Sequence, residues 1–234
     1  MHARLTRYVV LLWLSLLASV PAAAGGFSIL PTRLQLGSER SVQSVVLTNS
    51  GAQTVVIESQ VRVWPEGADG QLANDLVVSP AVVTLPPGER MRVRVGLLRP
   101  GATASERAYR LYFTELPSPS PLQGAGIGVR LRIGIPVFVA PQQPRPQALH
   151  WQLDSDADGD FLRVRNDGNL HWRVAEPALL LDGDKPLPLA MAAPYVLAGT
   201  VLRVPLPAGL RLAAGQRVRW MDGDDVRGAL VVAR

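Results

Sequence analysis

Turn-forming residues interrupt this chain at intervals of roughly 8–12 residues, and β-branched runs fill the intervals. No segment keeps apolar residues at a helical period over a useful length, so the pattern predicts an all-β chain of short strands. In the first part, strands are expected near Ser28–Leu36, Val42–Asn49, Thr54–Trp64, Val82–Leu85, Arg90–Leu98, Tyr109–Glu115 and Ile127–Val139. The turns between them fall at Gly37-Ser38, Asn49-Ser50-Gly51, Gly67-Ala68-Asp69-Gly70, Pro86-Pro87-Gly88 and Pro100-Gly101. Pro141 to Pro146 (PQQPRP) has no apolar periodicity and reads as a short, stiff linker. A second series follows: Leu149–Leu153, Phe161–Asn166, His171–Leu181, Val201–Leu206, Arg217–Trp220 and Gly228–Val232.

Seven strands in the first series match an immunoglobulin-like β-sandwich, and the second series predicts a smaller sandwich. The expected division is residues 25–140, a linker over 141–147, and a second domain over 148–234. Residues 1–24 read as a secretion signal. Arg4 and Arg7 form a basic start, Tyr8 to Val20 is apolar, and Ala22-Ala23-Ala24 offers a small-residue cleavage site. The apolar stretch meets Pro21 before reaching the length of about 20 residues that spans a bilayer, so no stable membrane insertion is expected.

Cysteine is absent, which removes thiol catalysis and zinc–thiolate sites. Of the formal charge of +5, Arg4 and Arg7 contribute two, leaving about +3 on the mature chain. That balance carries no basic block and no aromatic–basic interleaving, so nucleic acid is not an expected partner. There is no Gly-x-Ser-x-Gly elbow, phosphate loop or His-Glu-x-x-His helix. His150 and His171 each sit beside a tryptophan near a strand end, where packing is the default. Glu58, Glu66, Glu106 and Glu115 are scattered, and the chain does not read as an enzyme. Asp154-x-Asp156-x-Asp158-Gly159 begins like a calcium loop, but Arg165 stands at the twelfth position, where a bidentate glutamate is needed. This stretch and Asp222-Gly223-Asp224-Asp225 read as acidic hairpins; no metal and no cofactor is expected.

The most regular strand pattern runs through Ile127, Val129, Leu131, Ile133 and Ile135, with Gly128, Arg130, Arg132 and Gly134 between. One face is then an aliphatic ridge, and the other carries two arginines. Such a strand is half-buried in its own domain, or it fills a groove on a partner; the loose stretch Pro117 to Gly126 before it permits the second. Arg33 in Ile29-Leu-Pro-Thr-Arg-Leu-Gln-Leu36 is either an outward arginine on an edge strand or an anion-binding group, since guanidinium grips a carboxylate through two parallel bonds.

These pieces, in order, resemble the PapD-like periplasmic pilus chaperones. The resemblance is carried by Pro31-Thr-Arg-Leu-Gln-Leu36, Val45-Val-Leu-Thr-Asn49, Trp64 and the Gly70 turn, Val78-Ser-Pro80, Leu85-Pro-Pro-Gly88, Arg92-Val-Arg94, Tyr109–Pro117 and Ile133–Pro141. Asn166-Asp-Gly168 and Pro194–Gly199 extend it into the second domain. The Trp64–Gly70 segment and the Pro-Pro-Gly turn are most similar to the archaic (sigma-type, spore-coat-U-associated) subgroup.

The resemblance implies two immunoglobulin-like domains in an L shape, a periplasmic location, and two partners: pilus subunits lacking their last strand, and an outer-membrane usher. It implies that Ile127, Val129, Leu131, Ile133 and Ile135 complete the subunit by donor-strand complementation. It implies that Arg33 grips the subunit's terminal carboxylate. The family's lysine partner is replaced in the neighbourhood of Ile135-Pro136, leaving Arg110, Arg130 or Arg132 as the second basic group. Arg94 and Glu106 match two members of a charge cluster that ties the family's domains together, with Ala140 in place of a third. The rival from another class is a secreted structural pilus subunit or immunoglobulin-like adhesin, which would begin with a free donor extension.

Overall fold

Apolar residues from Phe27 to Val139 gather into one core, and those from Leu149 to Val231 into a second. The computed structural model describes residues 26–65, 70–99, 101, 103–117, 129–146, 148–157, 159–181, 185–191, 195–207, 210 and 215–232. The proposed signal and its cleavage site lie outside the described residues, as does Ile127.

The first core lies between two sheets. One is four-stranded, in the order β1 (Phe27–Leu30), β3 (Val42–Asn49), β7 (Arg90–Leu97), β5 (Leu76–Ser79). The other is five-stranded: β2 (Leu34–Leu36), β9 (Arg132–Val139), β8 (Arg107–Glu115), β4 (Val55–Val63), β6 (Val82–Leu85). Alternation builds it. Leu34, Leu36, Val45, Leu47, Val93, Val95, Leu111 and Phe113 point inward and are almost fully buried, while the residues between them face out. Each such side chain stabilises the fold by roughly 1.5–3 kcal/mol.

The single strand expected over Ser28–Leu36 is two strands in different sheets. β1 pairs with β3, the chain turns at Pro31, and β2 joins β9 in parallel. The strand expected from Ile127 begins only at Arg132, and Val129 to Leu131 lie outside any strand. β5 was not among the expected strands; Leu76 alone is buried there, so its alternation is too short to read.

The second half comprises β10 (Leu149–Asp156), β11 (Gly159–Asn166), β12 (Trp172–Arg173), β13 (Ala175–Leu180), β14 (Pro186–Pro188), β15 (Tyr195–Val196), β16 (Val201–Pro205), β17 (Arg217–Asp222) and β18 (Asp225–Val232). Seven of these form one sheet in the order β14-β13-β17-β18-β10-β11-β16, and β12 pairs with β15. Trp151 and Trp220 meet in its core with ring centroids 5.6 Å apart.

The same turn device closes a strand in each half. Asn49 is buried; its side-chain oxygen accepts from Gly51 N–H at 2.8 Å, and its amide donates to the Leu85 carbonyl at 2.9 Å. Asn166 accepts from Gly168 N–H at 2.9 Å and donates to the Leu170 and Val196 carbonyls at 2.8 and 3.0 Å. An Asn-x-Gly turn therefore ties its own loop to a distant strand in both halves.

Candidate functional site

β9 is fully paired on one side only. β8 runs antiparallel along its whole length, from Arg107↔Val139 to Thr114↔Arg132. β2 covers only Val137 to Val139, so among the described residues Arg132 to Ile135 have no strand on their other side. The direction of the backbone groups follows from two bonds. Glu115 N–H donates to the Leu131 carbonyl, and Ala140 N–H donates to the Leu36 carbonyl. Odd-numbered residues thus bond toward β8, and even-numbered ones toward the β2 side. Arg132 and Gly134 present N–H and C=O at the open edge, and Pro136 sits where its missing N–H costs no bond to β8.

The aliphatic ridge divides along this strand. Ile135 is only 3% exposed and belongs to the first core, with Leu131 and Ile133 packed against it. Val129 is 76% exposed. Of the ridge residues expected to fill a partner's groove, Ile135 has its side chain held in this domain's own core. The ridge is thus buried at its Ile135 end and exposed at Val129.

The outward face of the sheet carries the basic groups. Leu34 is the register partner of Val137, so Arg33 enters the sheet beside Pro136. On the other side of Pro136 stands Arg110. Adjacent strands lie about 4.8 Å apart, so the two arginine backbones are separated by roughly 10 Å with an uncharged residue between them. Arg33 is exposed. The Arg110 guanidinium lies 4.1 Å from the Trp64 ring centre. Stacking uses the flat face of the guanidinium and leaves its N–H edge available. Neither arginine makes a hydrogen bond or ion pair among the described residues. Arg130 and Arg132 are exposed at the far end of β9, about 13 Å or more along the strand from Pro136, and Arg132 lies 4.0 Å over the Tyr112 ring. Of the three candidates for the second basic group, the structure brings only Arg110 to Arg33.

Around Arg110 the two halves meet. Trp64 is edge-on to Tyr195 at 5.6 Å, and Phe138 stacks on His171 at 3.7 Å and 8°. Glu106 Oε1 accepts from His171 Nδ1 at 2.7 Å and from its backbone N–H at 2.9 Å. Asn169 donates to the Ala104 and Gln143 carbonyls, both at 2.8 Å, and accepts from Arg145 N–H at 2.6 Å. Glu106 thus reaches the second half, but through His171. Arg94 lies on the outward face of β7, level with Ser44 and Ser79, and makes no ion pair among the described residues. Arg94 and Glu106, matched by the resemblance to a charge cluster whose third position is Ala140, form no ion pair with each other among the described residues. Sequence reasoning passed over Asn169 and Tyr195 and took His171 for a packing residue. The Asn166-Asp-Gly turn that positions Asn169 was the available signal.

The acidic stretch is a hairpin between β10 and β11. Asp154 pairs with Arg163, and Asp156 accepts both terminal nitrogens of Arg203. Among the described residues, no cluster of three histidine or acidic side chains forms a metal cage.

Residues 26–145 match the family model of the pili and flagellar-assembly chaperones, PapD N-terminal domain. The chain belongs to that family. Among solved structures it is similar to one from the CsuC–CsuE chaperone–tip adhesion subunit pre-assembly complex of the archaic chaperone-usher Csu pili of Acinetobacter baumannii. The identity is 18% and the TM-score 0.67, over 89% of this chain and 99% of that one. The E. coli chaperone DraB matches at 16% identity and TM-score 0.65, over 88% of this chain and 97% of that one. The Pseudomonas aeruginosa CupB2 chaperone matches at 15% and 0.63, over 87% and 100%. A comparison with curated protein sequences returns no match. The fold shared with these structures is two immunoglobulin-like β-sandwich domains, as the turn spacing predicted.

Proposed function

We propose that this protein is a periplasmic chaperone of the archaic chaperone–usher type that completes a pilus subunit with its own β9 and delivers it to an outer-membrane usher. The observation that carries this reading is the edge of β9, open among the described residues, ending between two arginines that make no hydrogen bond or ion pair among them. An incomplete subunit would lay its terminal strand along Arg132 to Ile135, exchanging backbone bonds with Arg132 and Gly134. Its terminal carboxylate would then reach Arg33 and Arg110, each able to donate two parallel N–H bonds. The exposed Val129, with the ridge residues that precede and follow it in the sequence, would enter the subunit's groove at roughly 1.5–3 kcal/mol per side chain, partly offset by ordering of the segment. Structures related in fold include chaperones captured with subunits, the CsuC–CsuE complex and Salmonella SafB with the SafA pilin, which supports a pilin as client.

The test is co-expression with the pilin-like products of neighbouring genes and co-purification. A soluble 1:1 complex is expected, and a chain that polymerises alone would instead be a fibre subunit. Arg33→Ala and Arg110→Gln should each weaken capture by about ten-fold or more, as expected when a charge-assisted bond is lost. Neither should weaken it further when the client carries a C-terminal amide. Equal capture of amidated and free-acid clients by the wild-type protein would place the anchor elsewhere.

A further inference from the structure

The outward face of the four-stranded sheet is a second basic surface. β1, β3, β5 and β7 together contain three charged residues, Arg90, Arg92 and Arg94, and no acid. All three lie on β7, exposed, with the inward-facing Val93 and Val95 buried in the core. They stand level with Thr48, Val46 and Ser44 on β3, and Ser79 on β5 flanks Arg94 from the other side. None makes a hydrogen bond, ion pair or ring contact among the described residues. Glu89 precedes the strand in an exposed turn and makes no ion pair with them. The contacts between the two halves described above arise elsewhere, from Trp64, Phe138 and the segment around Glu106.

Three like charges on alternate residues of one strand repel one another and stabilise nothing within this chain. They form a line about 14 Å long with a charge every 7 Å or so. A membrane surface is met by basic groups spread in two dimensions, whereas a line selects a linear ligand. An extended polypeptide lying on the sheet projects alternate side chains at the same interval of about 7 Å. Carboxylates at every second residue would then fall opposite the three guanidinium groups, with the Thr48, Ser44 and Ser79 hydroxyls as further donors. We infer that this face of β7 docks an extended acidic segment of a partner protein, one with Asp or Glu at alternate positions. The surface is separate from the open edge of β9 and does not depend on the chaperone reading.

The probe is an acetylated and amidated heptapeptide with aspartate at every second residue and threonine between, titrated into the isotopically labelled full chain. The caps leave no terminal carboxylate, so the Arg33–Arg110 pair is not reported. Backbone amide shifts confined to β3, β5 and β7 are expected, weakening as salt rises. Arg92→Gln should lower affinity about two- to five-fold, and Arg90→Gln with Arg92→Gln and Arg94→Gln should abolish it, while client capture is unchanged. A peptide of the same composition with its aspartates consecutive should bind more weakly. Equal binding of the two peptides, or unchanged binding by the triple variant, overturns the proposal. So does a wild-type protein that ignores the peptide and binds phosphatidylglycerol vesicles, or associates with itself through this face.

Discussion

Gly134 shows how one residue type conditions the open edge. A Cβ built there would lie 2.7 Å from Tyr112 Cε1, so the Tyr112 ring occupies the space a side chain would need. That ring in turn carries the Arg132 guanidinium. Gly134→Ala should push the ring aside at a cost of about 1–3 kcal/mol, lowering Tm by several degrees and altering the near-ultraviolet dichroism of the tyrosines. Tyr109 is a second case. Its hydroxyl donates to Asp75 at 2.5 Å, and Arg107 pairs with the same carboxylate. Burial, then the hydrogen bond to Asp75, holds its hydroxyl pKa well above the usual tyrosine range. A raised folded-state value means that the stabilisation is complete below the unfolded pKa of about 10 and is lost as pH climbs above it. Chemical denaturation between neutral pH and pH 11 or so should show that decline, and Tyr109→Phe should flatten it.

At the scale of the element, β9 is a single strand with two loyalties. Val137 and Val139 belong wholly to the first core, Ile135 joins them, and Val129 is exposed. Opposite outcomes are expected from the same chemical change at its two ends. Val129→Asp should leave Tm unchanged and abolish client capture. Ile135→Asp should unfold the domain, because a buried unpaired carboxylate costs several kcal/mol. Loss of folding with Val129→Asp, or a folded, soluble Ile135→Asp protein, would contradict the division. The alternation in the sequence revealed the strand and its apolar face, but not where that face leaves the core. That boundary is set by where the core between the two sheets ends: Ile135 lies inside it, and Val129 lies before β9 begins.

At the scale of the whole molecule, the two halves are joined through Asn169, Glu106 and His171 as well as through the linker. Asn169 answers three backbone groups at once with one side chain, and Asn169→Ala would leave those groups without partners, a loss on the order of 3 kcal/mol. Calorimetry should then resolve two transitions where the wild-type protein gives one, and small-angle scattering should show a larger radius of gyration. Client capture should fall as well, since Trp64, which supports Arg110, itself rests on Tyr195 of the second half. A variant with an unchanged single transition would show that the aromatic contacts alone hold the halves together.

Residue order alone determined the all-β class, the number of sandwiches, most strands and both Asn-x-Gly turns, because each of these is local. Alternation has a period of two, turns need particular residues, and both are written within a few positions. What only the tertiary structure decided is who stands beside whom. Arg110 lies 77 positions after Arg33 in the chain, yet β8 and β2 flank the same strand, and the register sets the two arginines on either side of Pro136. Arg94 and Glu106 are near in sequence and have no bond between them, while Glu106 finds His171 across the junction. Strand pairing and the meeting of two cores are long-range events, driven by burial of faces that the sequence marks as apolar without naming their partners.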